Sequence, residues 1–244
     1  MAHEGRGGSR RLAVVMQTVF YVLTLSACAS LPPLQPQLAE RVSGRPFPKG
    51  HWQLVHRIEA RFPGNHKALM MGALELDSAT GRLNCALMTV EGFTLFSAGF
   101  NPGDPVPLTI TRAVPPFDQP GFAEGLMADL HLLFFVPEAR ETTGSLDDGP
   151  VRRYHYRDGR TIDVIARPNG RFRIDFYDTD ARLVRRARLI FSPSTAAPQN
   201  IATKIFLEAK DDAGYTLKLD LIDAVPLGAA NDIVPDSPSA KDFQ

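Results

Sequence analysis

The feature that most constrains this chain is a repeating period of two. Between Trp52 and Phe62, the residues Trp52, Leu54, Ile58, Ala60 and Phe62 alternate with Gln53, Arg57, Glu59 and Arg61. Successive side chains of extended backbone point to opposite sides, so this run is a strand with one apolar and one wet face. Pro63-Gly64-Asn65 then turns the chain. Met70, Gly72, Leu74 and Leu76 take one face of the next run, against Lys67, Glu75 and Asp77. Ser78 to Gly81 turns again, and Leu83, Cys85 and Leu87 oppose Arg82 and Asn84. Phe93 to Phe100 and Val106-Leu108-Ile110 complete a first set of five strands.

The pattern then breaks. Pro115, Pro116 and Pro120 punctuate the chain, and Gly121 to Phe135 places Phe122, Leu126, Leu130 and Leu133 at helical spacing. Leu130 to Val136 is almost wholly apolar, which implies burial on several sides. Residues 140–150 read as a polar, glycine-containing loop. Alternation returns at Tyr154 and Tyr156, and Asp158-Gly159 is a strong hairpin turn before Ile162 and Val164. Asn169-Gly170 is a second such turn, leading to Phe172, Ile174 and Phe176. Leu183 to Phe191, Ile201 to Ala209 and Tyr215 to Leu221 supply three more strands.

The count is about eleven strands and one main helix, a mainly β (α+β) chain. One face of the sheet is wet, which argues for antiparallel pairing. A single sheet of this length curls to bury its apolar face, and a helix then covers the mouth of the resulting unclosed barrel. The candidate interior residues are Leu54, Ile58, Met70, Leu74, Leu87, Leu108, Phe172, Ile174, Leu217 and Leu219. The candidate lid is Leu126, Leu130 and Leu133, with Asp129 among them. A buried carboxylate needs a partner. Arg185 shares the parity of Leu183, Ala187 and Leu189 and so points inward, either to pair with Asp129 as a latch or to meet an anionic head group. The pairing is the favoured expectation. Arg182, Arg186 and Arg188 read as a solvated face.

The N-terminus carries an address. Arg6, Arg10 and Arg11 precede the mostly apolar run Leu12 to Leu25, then Ser26, Ala27 and Cys28. That order is a secretory signal peptide over 1–27, with an apolar run shorter than the roughly 20 residues a membrane span needs. Leu25-Ser26-Ala27-Cys28 resembles the lipobox of bacterial lipoproteins, which implies cleavage before Cys28 and acylation of it. Stable anchoring takes two or more chains, each contributing about 0.8 kcal/mol per buried methylene. The resemblance to sorted bacterial lipoproteins, with Ala29 and Ser30 rather than Asp after the cysteine, implies delivery to the outer membrane by the lipoprotein-processing and sorting machinery. Residues 28–49, with Pro32, Pro33, Pro36, Pro46 and Pro48, read as a proline-rich tether; 50–228 as the domain; 229–244 as a flexible tail.

Charge is balanced, 27 basic against 27 acidic residues, and three of the basic ones lie in the leader. Nothing marks a nucleic-acid partner, which needs a basic stripe. With Cys28 acylated, Cys85 is alone and no internal disulfide forms; it reads as a small core residue. His51, His56, His66, His131 and His155 lack paired metal-ligand spacing and read as surface or structural residues. No nucleophile elbow and no phosphate-binding glycine loop occurs. The expectation is a non-enzymatic, monomeric protein without metal or cofactor.

Several short motifs carry a resemblance. His56-Arg57-Ile58-Glu59-Ala60, followed by Leu74-Glu75-Leu76-Asp77, resembles the opening hairpin of a family of uncharacterised bacterial outer-membrane lipoproteins, a domain of unknown function. Thr89-Val90-Glu91-Gly92-Phe93-Thr94-Leu95-Phe96 and Met127-Ala128-Asp129-Leu130-His131-Leu132 resemble further motifs of it. That family is similar to the LolA/LolB-like lipoprotein carriers, an unclosed barrel of eleven strands whose helices cover an apolar cavity for acyl chains. The resemblance implies hydrophobic cargo: a lipid, an acyl chain or a lipoprotein. LolB also meets the membrane with a leucine on a loop. The matching turn here, Val90-Glu91-Gly92, has an acid at its tip, with Phe93 or Phe117 as substitutes. The alternative reading is a structural or assembly lipoprotein whose core is fully packed and whose outer face docks a partner.

Overall fold

The alternating runs pair into one antiparallel sheet in the computed structural model, which describes residues 31–36, 44–192, 200–211 and 214–228. The leader, Cys28 and the tail 229–244 lie outside the described residues. The first five strands are β1 (His51–Phe62), β2 (His66–Asp77), β3 (Arg82–Met88), β4 (Thr94–Phe100) and β5 (Leu108–Ala113). Helix α1 (Phe122–Phe134) follows. The rest are β6 (Arg140–Leu146), β7 (Gly149–His155), β8 (Thr161–Arg167), β9 (Arg171–Tyr177), β10 (Leu183–Ile190), β11 (Lys204–Ala209) and β12 (Thr216–Pro226).

The sheet order is β5-β4-β3-β2-β1-β12-β11-β10-β9-β8-β7-β6. Each strand except at the helical crossover lies beside its sequence neighbour, and β12 returns to pair with β1. The sheet is not closed into a barrel: β5 and β6 are its two edges, joined by the segment that carries α1. The turns follow their chemistry. Asn169 and Gly170, in the three-residue link between the paired Arg167 and Arg171, both hold positive φ, 61° and 63°, and Gly170 does so without steric cost.

Twelve strands replace the expected eleven, because residues 140–150 are not a loop. Residues 140–146 form β6, paired with β7 from Arg140↔His155 to Leu146↔Gly149. As an edge strand it offers little apolar surface, so hydrophobic alternation is silent there. Its β-branched Thr142 and Thr143 suit extended backbone. Its outer side is met by the N-terminal segment: Gln35 and Ser145 exchange two backbone hydrogen bonds of 3.0 Å.

Two other expectations change. The fifth strand begins at Leu108, and Val106 and Ile110 are exposed, because β5 is an edge. The arginine strand is not uniformly solvated. Arg186 donates from Nε and Nη2 to Asp175, a carboxylate with 0 % exposure, at 2.7 and 2.9 Å. Beside it, Arg153 grips buried Asp163 in a bidentate pair at 2.6 and 2.7 Å and donates to the carbonyl of Pro32. The outer face over β7 to β10 is therefore internally paired, and β8 is buried on both sides from Thr161 to Ile165.

The concave side holds the main core. At one end of the sheet, Phe47, Leu54, Leu76, Leu83, Leu189, Ile201 and Ile205 pack with almost no exposure. At the other end, where Phe62 and Tyr215 lie, α1 crosses the sheet. Phe122 packs edge-on against Phe96 and Phe117, and His131 sits between Phe100 and Phe135. These ring contacts fix the helix along β4. Val136, beyond the helix, is exposed rather than buried. Among the described residues no helix is long and apolar enough to cross a membrane.

Candidate functional site

The central strands leave a space under the helix. Along β1, Leu54, His56, Ile58 and Ala60 all face inward and are buried. Across from them, β2 presents Met70, Gly72 and Leu74, and β12 presents Leu217 and Leu219. Helix α1 roofs this trough with Leu126, Leu130 and Leu133. The roof does not touch the floor everywhere, and a cavity of about 370 Å³ remains between them. Its lining is almost entirely apolar; the polar exceptions are His56, Asp129, Arg185 and Tyr215. Such a volume lies within the roughly 300–1,000 Å³ of small-molecule sites.

Ile58, Met70, Leu74, Leu87, Leu217 and Leu219 line the cavity, together with Leu126, Asp129, Leu130, Leu133 and Arg185. Four of the expected interior residues fall elsewhere. Leu54 and Ile174 are fully buried and do not line the cavity. Phe172 packs edge-on against Phe191, and Leu108 stands half-buried on the edge strand β5. Inward parity is the same at both ends of a strand, so periodicity cannot separate packed core from cavity wall.

Asp129 and Arg185 pair, as the inward parity of Arg185 implied. Arg185 Nε donates to Asp129 Oδ1 at 3.1 Å, and Arg185 Nη1 faces Asp211 Oδ2 at 2.5 Å. Tyr215 donates its hydroxyl to Asp129 Oδ2. The Arg185 guanidinium also lies over the Tyr215 ring, 5.4 Å from its centroid. The helix is thereby tied to β10 and to the chain entering β12. Burial raises the Asp129 pKa above the ordinary carboxylate range, against the opposing pull of Tyr215 and Arg185. Burial works against charge on Arg185, but the Asp211 and Asp129 carboxylates outweigh it and hold its pKa above the usual value. The Tyr215 hydroxyl is pushed up by burial and by Asp129.

His56, read from the sequence as a surface or structural residue, stands buried in the cavity wall. It shares the inward parity of Leu54 and Ile58, which is the signal that identifies it. Its ring is 3 % exposed, 6.0 Å from that of Phe134, and its Nε2 has no hydrogen-bond partner. Burial lowers its pKa to about 4, so it is neutral near pH 7. Cys85 also lines the cavity, and burial pushes its thiol up to about 11, which leaves it without thiolate character. Among the described residues no three His, Cys, Asp or Glu side chains gather as a metal site would require. Phe117 is buried in the cavity wall, whereas Val90 and Phe93 are 60 % and 72 % exposed on the β3–β4 turn.

No protein-family model and no curated protein matches the chain. Among solved structures it is similar to a LolA superfamily protein from Nitrosomonas europaea, at 15 % identity and a TM-score of 0.48, over 75 % of this chain and 88 % of that one. It is also similar to a DUF1329 family protein from Desulfovibrio piger, at 13 % identity and a TM-score of 0.44, over 75 % and 87 % of the two chains. A third likeness is to an outer membrane lipoprotein-sorting protein domain from Vibrio parahaemolyticus, at 11 % identity and a TM-score of 0.43, over 75 % and 88 %. At these identities the likeness is one of fold. The site described above rests on this chain's own geometry.

Proposed function

We propose that this chain is a lipoprotein, anchored through acylated Cys28 at the periplasmic face of the outer membrane, that accepts a hydrophobic cargo between its sheet and its helix. The observation that carries the reading is the cavity of about 370 Å³ with its apolar lining. A lipid or acyl chain entering it is removed from water at about 25 cal/mol per Å² of apolar surface, with no cofactor and no bond made or broken. The Asp129–Arg185–Tyr215 cluster acts as a latch that opens when cargo displaces the helix. Phe93, exposed on the β3–β4 turn, serves as the membrane-meeting side chain in place of the acid at Glu91.

Native mass spectrometry of protein extracted gently from membranes tests the cargo reading. We expect a reproducible non-covalent lipid and displacement of a fluorescent fatty acid. Leu74→Trp or Leu217→Trp, which fills the cavity from its floor, should weaken fatty-acid binding at least tenfold. A protein that is empty and excludes the probe overturns the reading and favours the structural lipoprotein that docks a partner. A Cys28→Ser variant tests the anchor: it should leave the membrane fraction after high-salt and carbonate washing.

A further inference from the structure

Seen from inside the cavity, one wall residue does not match its neighbours. Leu54, Ile58 and Ala60 share the inward face of β1 with His56. A leucine or phenylalanine at His56 would continue that row at no polar cost. A buried ring nitrogen without a partner instead costs about 1–3 kcal/mol, and the His56 Nε2 has none. The backbone opposite is open: Gly72 pairs with His56 across β1 and β2 and also lines the cavity. A Cβ on Gly72 would stand 2.6 Å from Ile58 Cδ1, so a side chain there would push the end of Ile58 aside.

The remaining polar groups of the lining are occupied. Arg185 already faces two carboxylates, Asp129 and Asp211, and Tyr215 donates to the first. That end of the cavity has no uncommitted cation for a carboxylate or phosphate. His56 is therefore the polar lining residue left for a ligand. Burial keeps it un-ionised, so it exchanges a hydrogen bond rather than a charge. Its depth is set by the strand. Phe62, at the end of β1, lies six residues away, roughly 20 Å at about 3.3 Å per residue. A volume of about 370 Å³ spread over that length is about one chain wide.

Building on the cargo reading, we infer that the cavity selects a single long chain bearing an un-ionised hydrogen-bonding group, a hydroxyl, toward its distal end, where it meets His56. The geometry disfavours a plain alkyl chain, which leaves Nε2 without a partner, and a hydroxyl near the head group, which stays in the outer part of the cavity.

Competition against a fluorescent fatty acid on the purified full-length lipoprotein tests this. The probes are hexadecanoic, 2-hydroxyhexadecanoic, 12-hydroxyhexadecanoic and 16-hydroxyhexadecanoic acids. We expect the better of the two distal hydroxyls to bind about five- to tenfold tighter than the unsubstituted acid, and the 2-hydroxy acid to gain nothing. His56→Phe should lose the distal preference, binding the 12- and 16-hydroxy acids no more tightly than it binds hexadecanoic acid; His56→Gln, which keeps a hydrogen-bonding group, should retain part of it. Equal binding of all four acids by the wild type, or a preference that persists in His56→Phe, overturns the inference and leaves the cargo reading standing. If none of the acids binds, the cargo reading falls and takes this inference with it.

Discussion

The titratable side chains of the cavity wall give the protein measurable chemistry. His56 is neutral and buried, with its pKa lowered to about 4 from an ordinary 6.5. The unfolded chain therefore binds a proton that the folded chain refuses between those two values. Stability is fully present above about pH 6.5, and is lost as pH falls toward about 4, by an amount on the order of 3 kcal/mol. The titratable groups sharing its cavity are Cys85, Asp129, Arg185 and Tyr215. Urea midpoints measured from pH 7 to pH 4 should fall more steeply for the wild type than for His56→Phe; parallel curves contradict this. The Cys85 thiol, held up to about 11 by burial, should stay unreactive to a thiol reagent at pH 8 until denaturant is added. At the latch, Arg185→Leu leaves the Asp129 carboxylate in an apolar site with Tyr215 as its remaining direct partner. Its cost should be on the order of 3 kcal/mol, and Asp129→Asn should cost less, because the amide still accepts from Tyr215.

At the scale of elements, the helix and the two edges carry the consequences. Helix α1 is held at its start by rings from β4 and the preceding loop, and in its middle by the latch. Amide exchange in α1 should therefore accelerate in Arg185→Leu while the protection of β1 and β2 stays unchanged. The β6 edge is met by the stretch around Gln35, and the close approach depends on Gly144. A Cβ there would lie 2.9 Å from the Gln35 carbonyl oxygen and 3.1 Å from Leu34 Cβ. Gly144→Val should displace residues 31–36 and expose them to limited proteolysis, with the rest of the sheet intact. An unaltered digestion pattern counts against the contact. The same edge explains why β6 escaped detection: an unburied strand has no apolar alternation, while Leu183 to Ile190 and Thr216 to Leu221 declare themselves by it.

For the molecule as a whole, the concave side holds packed core beside an open cavity. Phe47 belongs to the packed core with 2 % exposure, although it falls in the proline-rich stretch read as tether. Phe47→Ala should cost about 3–5 kcal/mol in a denaturant titration, whereas a residue in a solvated leash would cost nothing measurable. The Pro32 carbonyl is held by Arg153, and the covalent path from Cys28 to Pro32 reaches at most about 14 Å. An acylated Cys28 would thus keep the domain beside the bilayer. Phe93 stands 72 % exposed on the β3–β4 turn. If it meets the bilayer as proposed, Phe93→Asp should slow delivery of a bound fatty acid to vesicles without changing its affinity for the cavity.

The sequence by itself determined eleven of the twelve strands, most turns, the helix to within a residue at each end, and the inward parity of Arg185. It did so because alternation and helical spacing are local, and because turn residues such as Asn169-Gly170 permit few conformations. Only the tertiary structure decided that Leu54 and Ile174 pack solid while Ile58 and Leu219 face an open space, since both pairs obey the same parity. It also decided that Arg186 is claimed by Asp175, and that His56 stands in an apolar wall with Nε2 unpaired. Each of these depends on what the curled sheet brings opposite a side chain, and that distance is not written along the chain.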